Sequence, residues 1–217
     1  MKAMTNKKDL QQAHDQLLAL GELAIKFSDV HRITLYPDGH YENDLEHSFH
    51  LALSATELAA NYHPELDVGL VSQFCTVHDL PEVYAGDVPS YNISATSKEA
   101  KEKAEQLALK KLLSELPPHT AQLLERYEKQ IEPEARFVRF VDKLLPAVIH
   151  AVATETNRDD FFGRFNITSI EQINESNRKN QRKLQEMFPE FDFVLMTREL
   201  IILTARDRLF SSTGKAR

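Results

Sequence analysis

Tryptophan is absent from this 217-residue chain, which has one cysteine, Cys75, and only six glycines. A lone cysteine excludes an internal disulfide and suits a reducing cytosol. Its apolar neighbours make it core filler rather than a nucleophile. Positive charge is in deficit as well: 26 Lys and Arg stand against 33 Asp and Glu, a formal net charge of -7. That balance provides no basic footprint for nucleic acid or an anionic membrane. No apolar run approaches the length of a membrane span, and the polar start MKAMTNKKDLQQ does not read as a signal peptide, so the expected location is cytoplasmic. Repeats and low-complexity linkers are missing too, and the expectation is one domain over residues 1–217.

What the sequence does have is helical periodicity, with almost no alternating strand pattern. A first helix is predicted over 7–28, with Leu17, Leu18, Leu20, Leu23, Ala24 and Phe27 as its apolar stripe. Residues 29–43 read as a loop around the turn Pro37-Asp38-Gly39. Asp44 then caps a helix to about 62, and a short buried helix covers 67–79. Pro81 cannot continue that helix comfortably, so it opens a further single turn. After a loop, Thr96 or Ser97 caps an amphipathic helix to about 116, with Leu107, Leu109, Leu112 and Leu113 turned inward. Helices over 119–131, 134–158, 168–187 and 190–211 follow. The polar 168–187 helix belongs at the periphery. The apolar last helix docks on the core or at a subunit interface, which leaves room for a homodimer.

Ionisable residues interrupt the apolar faces of these helices at three places. Asp142 lies in Phe137-Val-Arg-Phe-Val-Asp-Lys-Leu-Leu-Pro146, with Val138, Leu145 and Pro146 as its helical neighbours. His78 has Phe74, Cys75 and Val71 behind it, and Asp79 follows; Glu46-His47 is the third place. An unpaired ionisable group in such a position is costly to bury. Singly, each has an ordinary explanation as a hydrogen-bonded core histidine or a structural ion pair. Together they are a set of imidazoles and carboxylates that suits one divalent metal.

The runs Glu46-His47-Ser48, His78-Asp79-Leu80-Pro81-Glu82-Val83-Tyr84-Ala85-Gly86-Asp87-Val88-Pro89 and Asp142-Lys143 resemble the HD-domain metal phosphohydrolases. More narrowly they are similar to the small HD-domain 5′-deoxynucleotidases. The resemblance covers roughly residues 15–160 and implies an all-α fold, a single HD-domain helical bundle on which the helices over 168–211 pack. It implies His47, His78, Asp79 and Asp142 as metal ligands. It also implies Arg32 as a clamp on the substrate phosphate and Glu82 as the general acid or base. Asp87 is left to a second ion, to Arg32 or to the sugar. In the bacterial relatives a tryptophan thought to crowd the sugar's 2′ position follows that arginine; here Ile33 stands there, a smaller wall beside the sugar.

Two imidazoles and two carboxylates suit Mn, Co, Fe, Ni or Zn more than Mg alone, and a harder second ion such as Mg would sit near Glu82 and Asp87. The resulting expectation is a 5′-nucleotidase that cleaves (deoxy)nucleoside 5′-monophosphates, with no nucleic-acid or membrane partner. HD triphosphohydrolases are the runner-up, but they need more basic residues than these loops carry. A non-catalytic metal-binding or nucleotide-binding module is the third reading, opposed by the presence of Glu82 and Arg32 beside all four ligands.

Overall fold

In the computed structural model, α1 spans Lys7–Ser28, opened by Asn6, whose side chain accepts from the Asp9 amide at 2.9 Å. The structure describes residues 6–86, 95–153 and 169–211, without the side chains of 95–101 and 209–211. Leu17 is 71% exposed, so the stripe expected of α1 faces outward over much of its length, and only Phe27 is buried.

Residues 29–43 are not the expected loop. They contain an antiparallel hairpin of β1 (His31–Leu35) and β2 (Tyr41–Asn43), paired at His31–Asn43 and Leu35–Tyr41. At its tip Gly39 takes φ +89°, which glycine tolerates without a Cβ penalty, and its amide donates to the Tyr36 carbonyl at 2.9 Å. Strands of five and three residues are too short to display a period of two, and such a ribbon depends on packing for its stability.

Asn43, not Asp44, caps α2 (Asp44–Tyr62): its side chain accepts from the Glu46 amide while the Glu46 carboxylate accepts from the Asn43 amide, both at 3.0 Å. Asp44 therefore sits inside the first turn and is buried. Asp67 caps α3 (Val68–Val77), which buries Val71, Phe74, Cys75 and Val77. His78 closes α3, and Pro81 opens the one-turn α4 (Glu82–Ala85), ended by Gly86 at φ +73°.

In α5 (Ala95–Glu115) Leu112 is buried and Leu109 and Leu113 pack against the core as expected, but Leu107 is 61% exposed and Ala108 is buried in its place. α6 spans Pro118–Lys129 and stops at Gln130 in the left-handed region. The single helix expected over 134–158 is broken into α7 (Pro133–Asp142) and α8 (Leu145–Val152). Pro146 explains the break, since it has no amide to donate to the Asp142 carbonyl one turn earlier. The rest of that expected helix, 154–158, lies outside the described residues.

α9 (Ile170–Met187) buries only Ile173 and Leu184, and a 3-10 turn at Pro189–Phe191 leads to α10 (Asp192–Ser211), which packs on α8. Phe188 and Phe191 join Phe137 and Phe140 in one aromatic cluster, with centroids 5.1 Å apart for Phe137–Phe191 and 5.2 Å for Phe140–Phe188. The described residues thus form an all-α fold with one small hairpin. Core packing should separate two positions that the sequence treats alike. Phe140→Ala is expected to cost about 3–5 kcal/mol in urea unfolding, whereas Leu107→Ala should stay within about 0.5 kcal/mol. Equal losses would mean that the α5 register is wrong.

Candidate metal centre

Three helices meet where α7 breaks. α2 supplies His47 from its second turn, α3 ends in His78 and Asp79, and Asp142 is the last residue of α7. A carboxylate at a helix C-terminus is opposed by the macrodipole, and here two C-termini, those of α3 and α7, direct partial negative charge at one spot. Such a spot favours a cation. One donor atom from each of His47, His78, Asp79 and Asp142 lies within 4.8 Å of all the others.

The imidazoles are oriented for ligation. His78 Nδ1 donates to the Cys75 carbonyl at 3.0 Å, which leaves the Nε2 lone pair 2.9 Å from Asp79 Oδ2. His47 is fully buried; its Nδ1 stands 3.5 Å from Glu42 Oε1 and its Nε2 3.1 Å from Asp142 Oδ1. An outer partner on one ring nitrogen fixes the ring and turns the other nitrogen toward a metal. The donor set, two nitrogens and two carboxylates, fits a first-row divalent ion.

Without a cation, protons fill that role. Burial opposes the His47 imidazolium, yet Asp142 and Glu42 outweigh it and push the pKa up to about 9. Burial likewise opposes ionised Asp142, but the His47 hydrogen bond holds it at about 2. Asp79 is held well below the carboxylate range: burial opposes its charge, and His78, Arg32 and His47 overcome that.

Arg32 lies in β1 against carboxylates. Its Nη1 donates to Asp79 Oδ2 at 2.8 Å and to Asp44 Oδ1 at 3.3 Å, and its Nε is 3.7 Å from Glu42 Oε2. Asp44, Asp79 and Glu82 also have oxygens within 4.8 Å of one another, a second acidic group beside the first. The Arg32 guanidinium already neutralises two of its three members, Asp44 and Asp79. Glu82 opens α4 and is half-buried, its amide donating to the Asp79 carbonyl at 2.9 Å. Ile33 is half-buried and adjoins Arg32 along β1. Lys143 Nζ is 4.0 Å from Asp142 Oδ2. Asp87 lies outside the described residues.

Three neighbours of the site are not assigned to it from the sequence, although Glu42-Asn43 fills the family's Glu-Asn step and Asp44 reads as a cap. Glu42 and Asp44, two positions apart, both reach Arg32, a pattern that becomes legible only once 41–43 is read as a strand. Tyr127 of α6 meets the His78 ring edge-on at 6.1 Å. Burial, then the charges of Asp142 and Asp79, hold its hydroxyl well above the usual phenol range, so it stays protonated.

The HD-domain family profile matches residues 26–188. The chain belongs to the HD-domain family. Its HD domain resembles, with a TM-score of 0.66 and 23% identity, a predicted metal-dependent phosphohydrolase from Magnetospirillum magnetotacticum, over 94% of this chain and 97% of that one. A conserved hypothetical protein from Pyrococcus furiosus matches with a TM-score of 0.53 and 24% identity, over 82% of this chain and 99% of that one. At these identities the likeness establishes the fold. No curated protein matches the chain.

The raised His47 pKa has a thermodynamic consequence. With a folded value of about 9 and an ordinary value of 6.5, this group stabilises the metal-free HD domain fully below 6.5, and that stability is lost as pH rises through 9. A metal must displace the proton, so manganese binding at pH 7 should release about one proton. Calorimetry in two buffers of different ionisation enthalpy measures the release, which should vanish at about pH 10. Asp142→Ala should lose metal affinity altogether.

Proposed function

We propose that this HD-domain chain is a metal-dependent phosphohydrolase that cleaves nucleoside 5′-monophosphates, deoxynucleotides among them, to nucleoside and orthophosphate. The observation that carries the reading is the convergence of His47, His78, Asp79 and Asp142 at two helix C-termini, with Glu82 against Asp79. The similar Magnetospirillum protein, described as a predicted metal-dependent phosphohydrolase, supports the general class. A divalent ion held by the four ligands would polarise the phosphate and lower the pKa of a water beside it.

The protein's own groups do the remainder. Glu82 has the second acidic group around it and sits on a separate turn from the ligands, which suits a carboxylate that accepts a proton from water or returns one to the leaving oxygen. Arg32 binds Asp79 and Asp44, so it sets the position of a ligand as much as it offers charge to a substrate. Tyr127, protonated and buried, can donate only a neutral hydrogen bond. Among the described residues the cations near the cluster are Arg32, Arg139 and Lys143, few enough to suit one phosphate better than three.

Two measurements test this. Phosphate release across nucleotides with manganese, cobalt, nickel, zinc or magnesium should favour 5′-monophosphates over triphosphates and 3′-monophosphates; triphosphate as the main product from a deoxynucleoside triphosphate would overturn the reading. Glu82→Ala should keep the metal and the nucleotide while kcat falls by about 10² or more, and unchanged turnover would remove Glu82 from the chemistry. For the sugar, Ile33→Trp should raise the ratio of kcat/KM for dAMP over AMP, by an amount worth about 1–3 kcal/mol. A flat ratio would exclude Ile33 from selectivity.

A further inference from the structure

Arg32 reads from the sequence as the arginine that grips phosphate, yet its guanidinium is already engaged by three carboxylates, two of them, Glu42 and Asp44, fully buried. An incoming phosphate would have to compete with Asp79 at 2.8 Å for the same donor. Among the described residues, the other cations near the cluster lie on α7. Arg139 is one turn before Asp142, and Lys143 follows it, still in the right-handed helical region at φ -68°, ψ -11°. Arg139 and Lys143 are therefore an i, i+4 pair, with Cβ atoms about 6 Å apart on one face.

Two like charges at that spacing repel. Arg139 is half-buried and makes no hydrogen bond or ion pair with any described residue. Lys143 has only the ligand Asp142, at 4.0 Å. Arg139 lies three residues before the ligand Asp142 in α7, so the two share one side of that helix, and Tyr127 feels both their charges. Burial lifts the neighbouring Glu128, and Arg139 is the first charge that counteracts it, but no ion pair forms. A half-buried guanidinium with no close ion pair among the described residues, next to a lysine 4.0 Å from a ligand carboxylate, leaves donors available beside the centre.

Resting on the phosphohydrolase reading, we propose that Arg139 and Lys143 together bind the substrate's phosphate, and that Arg32 is a positioning residue that holds Asp79 for the metal. The guanidinium fork of Arg139 offers paired donors to a phosphate, and Lys143 adds a point charge next to the ligand carboxylate.

The two roles separate in binding experiments that need no turnover. Manganese is titrated first into the full-length protein, then inorganic phosphate into the manganese-loaded form, both by calorimetry. Arg139→Ala and Lys143→Ala should each weaken phosphate binding about tenfold or more and leave manganese affinity within about twofold. Arg32→Ala should do the reverse, weakening manganese about 10- to 100-fold. Arg139→Lys should recover part of the phosphate affinity, because it restores charge without the fork. If the pair merely complements the α7 C-terminus, the alanine variants will lower Tm and leave phosphate affinity unchanged, which overturns the proposal. Absence of phosphate binding to the manganese-loaded wild type overturns it as well. Should Arg139→Ala fail to fold, Lys143→Ala, at an exposed site, decides the matter. Failure of the nucleotidase reading shows separately, as phosphate affinity that depends on these residues without hydrolysis of any 5′-monophosphate.

Discussion

Two helix C-termini aimed at one point set the terms for this molecule. The ends of α3 and α7 carry His78, Asp79 and Asp142, and buried His47 from α2 completes the group. Partial negative charge from two helix ends, added to two carboxylates, is a strongly unfavourable collection unless a cation compensates it. In the protein alone the compensation is a proton on His47 and the guanidinium of Arg32. A divalent metal can replace the proton. The same arrangement that costs folding energy in the free chain is what makes the site hold a metal.

The surrounding structure holds these groups in place. The hairpin 31–43 contributes almost nothing to the core, yet it delivers Arg32 and Glu42, and its last residue caps the helix that carries His47. Pro146 ends α7 at Asp142 instead of letting it continue, so the carboxylate lies at a helix terminus rather than along a helix side. Behind the ligands, the Cys75 carbonyl and Glu42 each meet one nitrogen of a histidine. Burial lifts the Cys75 thiol to about 12, so it stays protonated and takes no part as a thiolate. Rigid ligands with outer partners leave little entropy to lose on metal binding.

Much of the fold was legible because long helices advertise themselves. The 3.6-residue period, Pro81 and the paired prolines at 117–118 located most elements within a few residues. The errors came where tertiary contacts outweigh local pattern. Leu107 has the residue type of a core position but lies beside the face that Ala108 and Leu112 bury. Leu17 has no covering partner among the described residues and remains exposed. The hairpin escaped because three to five residues cannot establish a strand period.

By itself, the sequence determined the chemistry available: His47, His78, Asp79 and Asp142 are metal-ligand types on apolar helical faces, and no alternative partner for all four is written nearby. It also determined the all-α class, through helical periodicity and the near absence of alternating strand patterns. Only the tertiary structure decided how the charges are shared. The sequence offers Arg32, fifteen residues before His47, and Lys143, next to Asp142, as cations for the site. Folding sets the first, half-buried, among three carboxylates and leaves the second on the rim with Arg139 one turn away. Ion pairing depends on distances of a few ångströms between segments far apart in the chain, and local sequence pattern carries no information on that scale.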